Sequence, residues 1–454
     1  MIKAFGSKGK EVSRSKYEVD GIPPLSEAIP LGLQHIFAMF ASNIAVPMII
    51  AGLVGIQGAD LTIMVQSAMI IAGIATLNQC YPIWRCGARL PVVMGTSFGF
   101  LPTNIAIAKG YGISGLLGAT FVGGLFGTVL GFFLKPLRRF FPSLVTGTVV
   151  LTIGLSLLPT GITSMAGGNG SPTFGSPKNW IVGLIVLFVV LGLNQFTKGF
   201  TKTSSILLGI IVGYIIAIPL GMVNLAPVKA AGWFSIPRPF HFPMEFKWGA
   251  IAPMMVMFIV TTVETVGDVS AITMGGAGRE ATDKELSGSI INNGLSSSFA
   301  AIFNGLPTTS FSQNVGMIAF TKIMSRFVVA VGAIFLIVAG LIPKLGALVS
   351  TIPPSVIGGA SLVIFSQITL TGINMLTSTP LTDRDKVIIG LSLAFGIGLT
   401  QVPAAMEHFP EFVKLIFGGS GIVIACLVAM ILNIAIPQQE EAIENVKEGI
   451  AKEA

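Results

Sequence analysis

Long apolar runs separated by short polar segments make up most of the 454-residue chain. Runs of about 20 residues recur along its whole length, and each is long enough to cross a bilayer as an α-helix. We count about fourteen such runs, of which two are interrupted. The pattern therefore predicts an all-α polytopic membrane protein with no soluble domain of useful size.

The third run is the first of the two that are interrupted. Pro91, Gly95, Gly99 and Pro102 fall inside it, and they cannot all occupy one regular helix. We expect a short extended piece near 92–98 and then a half-helix, because Pro102 suits the first turn of a helix.

The tenth run, at 304–326, is interrupted in the same way. Its Thr-Ser-Phe at 309–311 repeats the Thr-Ser-Phe at 96–98 at a distance of 213 positions, about half the chain. With seven spans in each half, the halves cross the membrane in opposite directions, as in the inverted repeats of many transporters. Irregular backbone at membrane depth survives where it is buried in protein or lines a cavity, so both breaks mark a candidate substrate site.

Composition and charge agree with the membrane class and indicate the topology. Mean hydropathy is +0.83 and 10% of residues are charged, against about 25% in soluble domains. The net charge is +7, and alternate loops divide the 27 basic residues 20 against 7 between the two sides of the membrane. The positive-inside rule makes the richer side, with both termini, cytoplasmic. The basic excess is thus a topology signal, and we expect no nucleic-acid partner.

Several function classes lack their sequence signals. Three cysteines do not make a disulfide framework, and no Walker A match supports ATP-driven pumping by this chain. The spans show no nucleophile–base pair and no metal-ligand cluster, so we expect neither an enzyme nor a metal or other cofactor.

Glu264 and Asp268 are the carboxylates that fall well inside an apolar span. Such groups are costly in a bilayer and are functional candidates by default. At i and i+4 they lie on one helix face. The pair would suit a proton carried with substrate, or an acceptor for substrate N–H groups. The alternative is a packing pair satisfied by neighbouring hydroxyls and backbone.

Residues at the two breaks are candidates for recognition of a flat polar ring. The amides of Gln313 and Asn314 suit a heterocycle with alternating N–H and C=O groups, whereas the alternative is a hydrogen bond between helices. Gly316 permits close approach of a ligand or backbone. Ser97 and Phe98 could offer backbone N–H donors and an aromatic face, although core packing is the ordinary role of a single Phe.

His35 and two basic residues complete the candidates. His35 is the sole histidine inside a span, and such a residue is more often a structural group than a proton shuttle. Lys322 and Arg326 are expected to anchor the cytoplasmic end of the tenth span.

A ten-residue motif from Gln313 to Lys322 carries a family resemblance. It fits the pattern Gln or Glu, Asn, any residue, Gly, four of any, Thr, then Arg, Lys or Gly, with Thr321 in the ninth position. The chain is similar here to the nucleobase–ascorbate transporter family, also called nucleobase–cation symporter family 2, and in particular to its bacterial xanthine and urate permeases. The likeness extends to Gln-His at 34–35, Gly-Thr-Ser-Phe at 95–98 and Glu-Thr-Val-Gly-Asp at 264–268, and covers nearly the whole chain.

The resemblance implies fourteen spans in a seven-plus-seven inverted repeat, divided into a core domain and a gate domain. Substrate would sit in the core between the broken spans three and ten. The core would move against the gate like an elevator, and the gate would also form a homodimer. The implied boundaries are 1–26 (cytoplasmic tail), 27–140 and 248–346 (core), 141–247 and 347–436 (gate), and 437–454 (cytoplasmic tail).

The resemblance also implies roles for residues. Substrate contacts would come from span eight and the two breaks: Glu264, Gln313, Phe98, Ser97, Ser312 and Asn314. Proton coupling or support of the site would come from Glu264, Asp268 and His35.

Three positions bear on substrate and coupling. Xanthine and urate carriers of this family have Gln at the position of Gln313, where uracil carriers tend to have Glu. The small Ser97 resembles carriers that accept the bulkier urate. Asn293 stands where some bacterial xanthine carriers have an essential Asp, which leaves the proton-coupling network open.

We therefore expect a secondary-active purine transporter of the cytoplasmic membrane that takes up xanthine and urate, with H+ as the coupling ion. The open alternatives are a uracil or broader nucleobase carrier, an uncoupled uniporter and, from another class, an anion channel or exchanger of the same fold. Anion members usually lack a carboxylate that faces the substrate, so Glu264 argues against that class.

Overall fold

The computed structural model describes residues 17–133, 142–168, 171–198, 201–202, 204–377, 380–409 and 421–437. Seven helices in these ranges are long and apolar enough to cross a membrane, and one pair of helices bent by 83° can count as an eighth. The mostly helical membrane class is thereby confirmed, whereas the count of fourteen spans stays a prediction. The basic cluster at 135–139 and most of both predicted tails lie outside the described residues.

The elements follow one another as helices with two short strands. The first half of the chain contains α1 (Leu25–Val54), α2 (Gly58–Cys80), β1 (Met94–Thr96), α3 (Leu101–Phe132), α4 (Ser143–Met165), α5 (Pro177–Phe196), α6 (Ser205–Ala217) and α7 (Ala226–Ala230). The second half contains α8 (Trp248–Ala277), α9 (Asp283–Ile302), β2 (Thr308–Ser310), α10 (Ser312–Thr321), α11 (Arg326–Gly340), α12 (Pro343–Ser350), α13 (Pro354–Leu376), α14 (Asp383–Gln401), a 3-10 turn (Pro403–Met406) and α15 (Gly421–Ala435).

α3 consists of two helices joined at a kink. Gly112 has φ 68° and ψ −175° within it, a conformation that glycine adopts readily and other residues avoid. The part before the kink is a short helix that starts at Leu101, soon after β1, with Pro102 in its first turn. This is the local order that the prolines and glycines of the third run predict; that the run is a broken membrane span stays a prediction.

β1 and β2 join the two interrupted runs directly. They pair antiparallel, with Gly95 opposite Thr309 and Thr96 opposite Thr308. A methyl group at Gly95 would lie 2.6 Å from Met39 Cε and 2.6 Å from a Phe311 ring carbon. A larger residue at this position would have to displace Met39 or Phe311, so glycine suits the close passage of the strand between them. The two strands, which run into the two Thr-Ser-Phe repeats, therefore lie side by side although the repeats are 213 positions apart in the sequence.

Asn43 of α1 secures the strand pair from its buried side. Its Oδ1 accepts a hydrogen bond from the Thr96 amide (2.7 Å), and its Nδ2 donates to the Ala68 carbonyl of α2 (3.1 Å). Asn43 and Thr96 are both buried. One side chain therefore positions β1 against two long helices.

We expect Asn43→Ala to destabilise the protein, because the buried amide of Thr96 then loses its acceptor. An unsatisfied buried donor costs about 1–3 kcal/mol. Ser42→Ala is the matched control, since the adjacent Ser42 hydroxyl is buried without a hydrogen-bond partner in the described structure. Thermal unfolding of the two purified variants would test the difference, and equal midpoints would contradict the bracing role of Asn43.

The helices pack in two groups. One contains α1, α2, α3 and α8 to α12, and the other contains α4, α5, α6, α13, α14 and α15. The groups meet where α1, α3 and α8 touch helices of the second group, chiefly α4, α6 and α13. The second group is built around the crossing of α4 and α13. Any cavity between α8 and these two helices therefore lies between the groups.

Residues 17–21 are tied to the loop that follows α10. The amide of Arg326 donates to the Val19 carbonyl (3.2 Å), and its guanidinium lies 2.7 Å from the Asp20 carboxylate. The same guanidinium donates to the carbonyl of Cys80 at the end of α2 (2.9 Å). Arg326, expected as a topology anchor, thus joins three separate parts of the chain.

We expect Asp20→Asn to lower the midpoint of thermal unfolding, because the Arg326 side chain is 14% exposed and loses its carboxylate. Hydrogen bonds to charged groups contribute about 1.5–3 kcal/mol. Asp383→Asn is the control, since Asp383 is 94% exposed in its pair with Lys386 and such surface pairs contribute little to stability. If both variants shift the midpoint equally, the tie at Arg326 is no stronger than a surface pair.

Candidate functional site

A cavity of about 520 Å³ lies between α8 of the first group and α4 and α13 of the second. The α8 wall consists of Glu264, Gly267, Asp268 and Ala271, at i, i+3, i+4 and i+7. This spacing puts all four on one helix face. The volume of the cavity lies in the range of small-molecule sites, about 300–1,000 Å³.

The Glu264 carboxylate lines this cavity. Its Oε2 is buried and finds no hydrogen-bond partner among the described residues. A methyl group added at Gly99 would lie 3.6 Å from this oxygen, so the backbone after β1 passes close to it. A buried carboxylate oxygen without a partner is energetically costly. It is placed to accept a hydrogen bond from a ligand.

Asp268, one turn further along α8, is already engaged with the strand pair. Its Oδ2 accepts a hydrogen bond from the Ser310 hydroxyl of β2 (2.5 Å). Asp268 is 8% exposed. The two predicted carboxylates thus share a helix face and a cavity, but Asp268 connects α8 to β2 while Glu264 keeps an oxygen with no partner among the described residues.

Of the two backbone N–H groups predicted as donors after β1, the one of Ser97 is bonded within the protein and the one of Phe98 is not bonded to any described residue. The Ser97 amide donates to the Pro307 carbonyl (3.0 Å), which extends the strand pairing and takes this group away from a ligand. The Ser97 hydroxyl accepts from the Gly99 amide (3.1 Å). The described residues supply no acceptor for the Phe98 amide. Of these three N–H groups, the Phe98 amide is the one that could donate to a ligand.

The Phe98 ring contacts the second helix group. It meets Phe365 of α13 edge to face, with ring centroids 5.2 Å apart, and both rings are buried. This is the core packing that the sequence left open as the alternative for Phe98. The contact therefore joins the two helix groups directly.

At the second interruption, α10 begins at Ser312, soon after β2. The side chains of Ser312 and Gln313 and the surroundings of Gly316 lie outside what the structure describes, so the predicted roles of these residues stay predictions. The Asn314 Nδ2 donates to the His35 carbonyl (2.9 Å) and lies 3.1 Å from His35 Nδ1. For this amide nitrogen the structure shows the bond between helices that the sequence left as an alternative.

The remaining motif residues lie at the far end of α10. The Thr321 hydroxyl donates to the Met317 carbonyl (2.9 Å), and Lys322 Nζ donates to the carbonyl of Gly275 near the end of α8 (2.5 Å). On α9, Asn293 Nδ2 donates to the Thr265 hydroxyl (3.1 Å). These contacts hold α8, α9 and α10 together and place none of the three side chains in the cavity.

Two helix N-termini converge on this region. α3 starts shortly after β1, and α10 starts shortly after β2. Because the strands are antiparallel, the two short helices leave the sheet in opposite directions. The first N–H groups of a helix have no partner within it and carry partial positive charge. At the first junction the Phe98 amide is a backbone donor, so the site combines this donor with an acceptor at Glu264.

The opposite wall of the cavity was missed by the sequence reasoning. Gln367, Thr371 and Asn374 of α13 line it, at i, i+4 and i+7 in an otherwise apolar span. This polar stripe was the available signal, because polar side chains within a span usually face protein or a cavity.

The Permease family profile (Xan_ur_permease) matches residues 26–405. The chain belongs to the nucleobase–ascorbate transporter family. It is 38% identical over 405 residues to the uric acid permease PucK of Bacillus subtilis, covering 89% of this chain and 94% of that protein. It is 32% identical over 442 residues to the xanthine permease XanP of Escherichia coli K12, covering 94% and 95%. The predicted family resemblance is confirmed.

Solved structures agree on the fold. The transmembrane domain of the cyanobacterial bicarbonate transporter BicA matches with a TM-score of 0.57 at 15% identity, covering 90% of this chain and 97% of that domain. At this identity the match concerns the fold alone. Together with the family and the apolar helices, it makes the chain a multi-pass membrane permease.

Proposed function

We propose that this permease takes up purine nucleobases, xanthine and urate, across the cytoplasmic membrane together with a proton. The observation that carries the proposal is the buried Oε2 of Glu264, which lines a cavity between two helix groups and has no partner within the part of the chain that the structure describes. An oxopurine presents N–H groups to such an acceptor. The names of the relatives, uric acid and xanthine permeases, support the same substrate class.

The proposed binding mode uses both sides of the strand pair. A purine N–H donates to Glu264, and purine carbonyls accept from the Phe98 amide and from the first turn of α10, with Gln313 as a further partner. The Phe98 ring packs on the base once it turns from its contact with Phe365. An inorganic anion has no N–H group to offer Glu264, so this site favours a nucleobase over the substrate of an anion exchanger.

The proposed mechanism is elevator-like. The group that contains α8, β1, β2 and α10 acts as the core and moves with the substrate, and the group that contains α4 and α13 acts as the gate. The cavity lies toward the N-terminal end of α4 and the C-terminal end of α13, which the positive-inside rule places at the cytoplasm. The Phe98–Phe365 contact then closes the opposite, external side. Fourteen spans, cytoplasmic termini and a gate-mediated homodimer complete the proposal.

Glu264 and Asp268 are the proposed proton site. Both face one cavity on one turn of α8, so a proton can accompany the substrate there. For an anionic purine, this proton also offsets the substrate charge. His35, buried and bonded to Asn314, supports α10 rather than carrying the proton.

Uptake of labelled xanthine into liposomes that contain the purified protein tests the proposal. The uptake is measured with and without an inward proton gradient, in competition with unlabelled urate, guanine, hypoxanthine and uracil. We expect gradient-driven accumulation that urate blocks and uracil does not. Uptake that only equilibrates would leave an uncoupled purine carrier. Competition by uracil alone would overturn the purine assignment.

A further inference from the structure

A second cavity, of about 570 Å³, lies at the other end of the two helix groups. Its walls come from the last turns of α1, the short helix of α3, the last turns of α4, the loop after α4 and the start of α13. The first cavity involves the opposite ends of α4 and α13. We call the second cavity the vestibule, and in the proposed topology it opens to the outside.

The vestibule ends near the Phe98–Phe365 contact. Its lining residue Ile105 lies one turn after Leu101, where the helix that follows Phe98 begins. Its lining residue Ile357 lies eight positions before Phe365 on α13, which is about 12 Å along the helix axis. The Phe98–Phe365 contact thus lies between the vestibule and the substrate cavity, so a substrate from outside meets the vestibule first.

Lys109 is the one charged residue among the described residues that line the vestibule. It is exposed, near the end of the short helix of α3. The other lining side chains are apolar, hydroxyl or amide groups. Asp60, beside the lining residue Leu61, is engaged by His241 at 2.8 Å. The described wall of the vestibule therefore presents a single positive charge and no carboxylate.

We propose that Lys109 makes the vestibule an encounter site that favours anionic oxopurines over neutral ones. The inference rests on the proposed purine function. Near neutral pH urate is a monoanion, whereas hypoxanthine is neutral and xanthine is neutral in mildly acidic buffer. A charged wall raises the local concentration of a ligand of opposite sign and speeds its association, and salt screens the effect. The charge of Lys109 thus adds a preference for urate before the substrate reaches Glu264.

The test measures initial uptake of urate and of xanthine by cells that lack their own purine uptake and express the full-length protein. Cells present only the external face, and a mildly acidic buffer keeps urate anionic and xanthine neutral. Lys109→Gln removes the charge and Lys109→Glu reverses it. Lys178→Gln is the matched control, because Lys178 is exposed at the start of α5, on the same side, and does not line the vestibule.

We expect Lys109→Gln to raise the KM for urate about threefold at low ionic strength and Lys109→Glu to raise it about tenfold. The KM for xanthine and the maximal rates should stay unchanged. High salt should raise the urate KM of the wild type toward that of Lys109→Gln. Lys178→Gln should match the wild type throughout.

Two results would overturn the role of Lys109 while the purine function stands. The first is an equal change in KM for urate and xanthine in the Lys109 variants, and the second is no change for either. Failure of the wild type to take up either purine would overturn the proposed function and the encounter site together.

Discussion

Glu264→Gln is expected to lower purine uptake by a factor of ten or more while the protein keeps its fold. Glutamine has nearly the same shape, but its oxygen carries no charge, and a hydrogen bond to a charged group contributes about 1.5–3 kcal/mol, or roughly 10- to 150-fold in affinity. If the glutamine nitrogen takes the place of Oε2, it presents a donor to the purine N–H. Substrate binding and proton uptake should therefore fail together.

Two measurements separate lost binding from lost folding. Labelled-xanthine uptake reports function, and the rise in melting temperature on adding xanthine reports binding, since a ligand that binds only the folded state stabilises it. Glu245→Gln is the control, because Glu245 is an exposed partner of Lys247 outside the cavity. Wild-type uptake and stabilisation in Glu264→Gln would refute both proposed roles of this carboxylate.

Asp268→Asn should abolish accumulation of purine against a gradient while binding and equilibrative exchange persist. Asparagine keeps the size of the side chain and an oxygen that can accept from Ser310, but it cannot bind a proton. The variant therefore preserves much of the contact between α8 and β2 and removes one of the two carboxylates proposed to carry the proton.

Ser310→Ala tests whether Asp268 acts through its charge or through its hydrogen bond to β2. It removes the hydroxyl donor to Asp268 but leaves the carboxylate, so we expect reduced thermal stability with gradient-driven accumulation retained. Counterflow of labelled xanthine, measured beside proton-driven uptake, reports exchange without coupling. If both variants lose accumulation to the same extent, Asp268 acts through its contact with β2 rather than through a proton.

Local chemistry explains how far the site could be predicted. An extended piece followed by a helix was predictable at the first break, because proline and glycine act on their own backbone. Glu264 and Asp268 were found because a carboxylate in an apolar run is conspicuous. The polar stripe of Gln367, Thr371 and Asn374 was not predicted to line the site, because polar residues at helical spacing do not reveal which other helix they face.

Partner choice in three dimensions decided the rest. Nothing in the short sequence around Ser97 shows that its amide bonds to Pro307, more than 200 positions away. The same holds for the Asn314 nitrogen, which donates to His35, and for the Phe98 ring, which packs on Phe365. Each of these groups had two chemically reasonable partners, and the packing of distant helices selected one.

The sequence by itself determined the membrane class, the family and the two points where the apolar runs break, because bilayer thickness and backbone sterics act on neighbouring residues. It also placed two carboxylates on one helix face. Only the tertiary structure decided that the two breaks pair as strands, and that Asp268 is engaged while Glu264 Oε2 has no partner among the described residues. It also decided that Lys109 lines a cavity whose described wall holds no carboxylate. These features depend on contacts between segments far apart in the chain, where the geometry of packing determines which polar groups are satisfied.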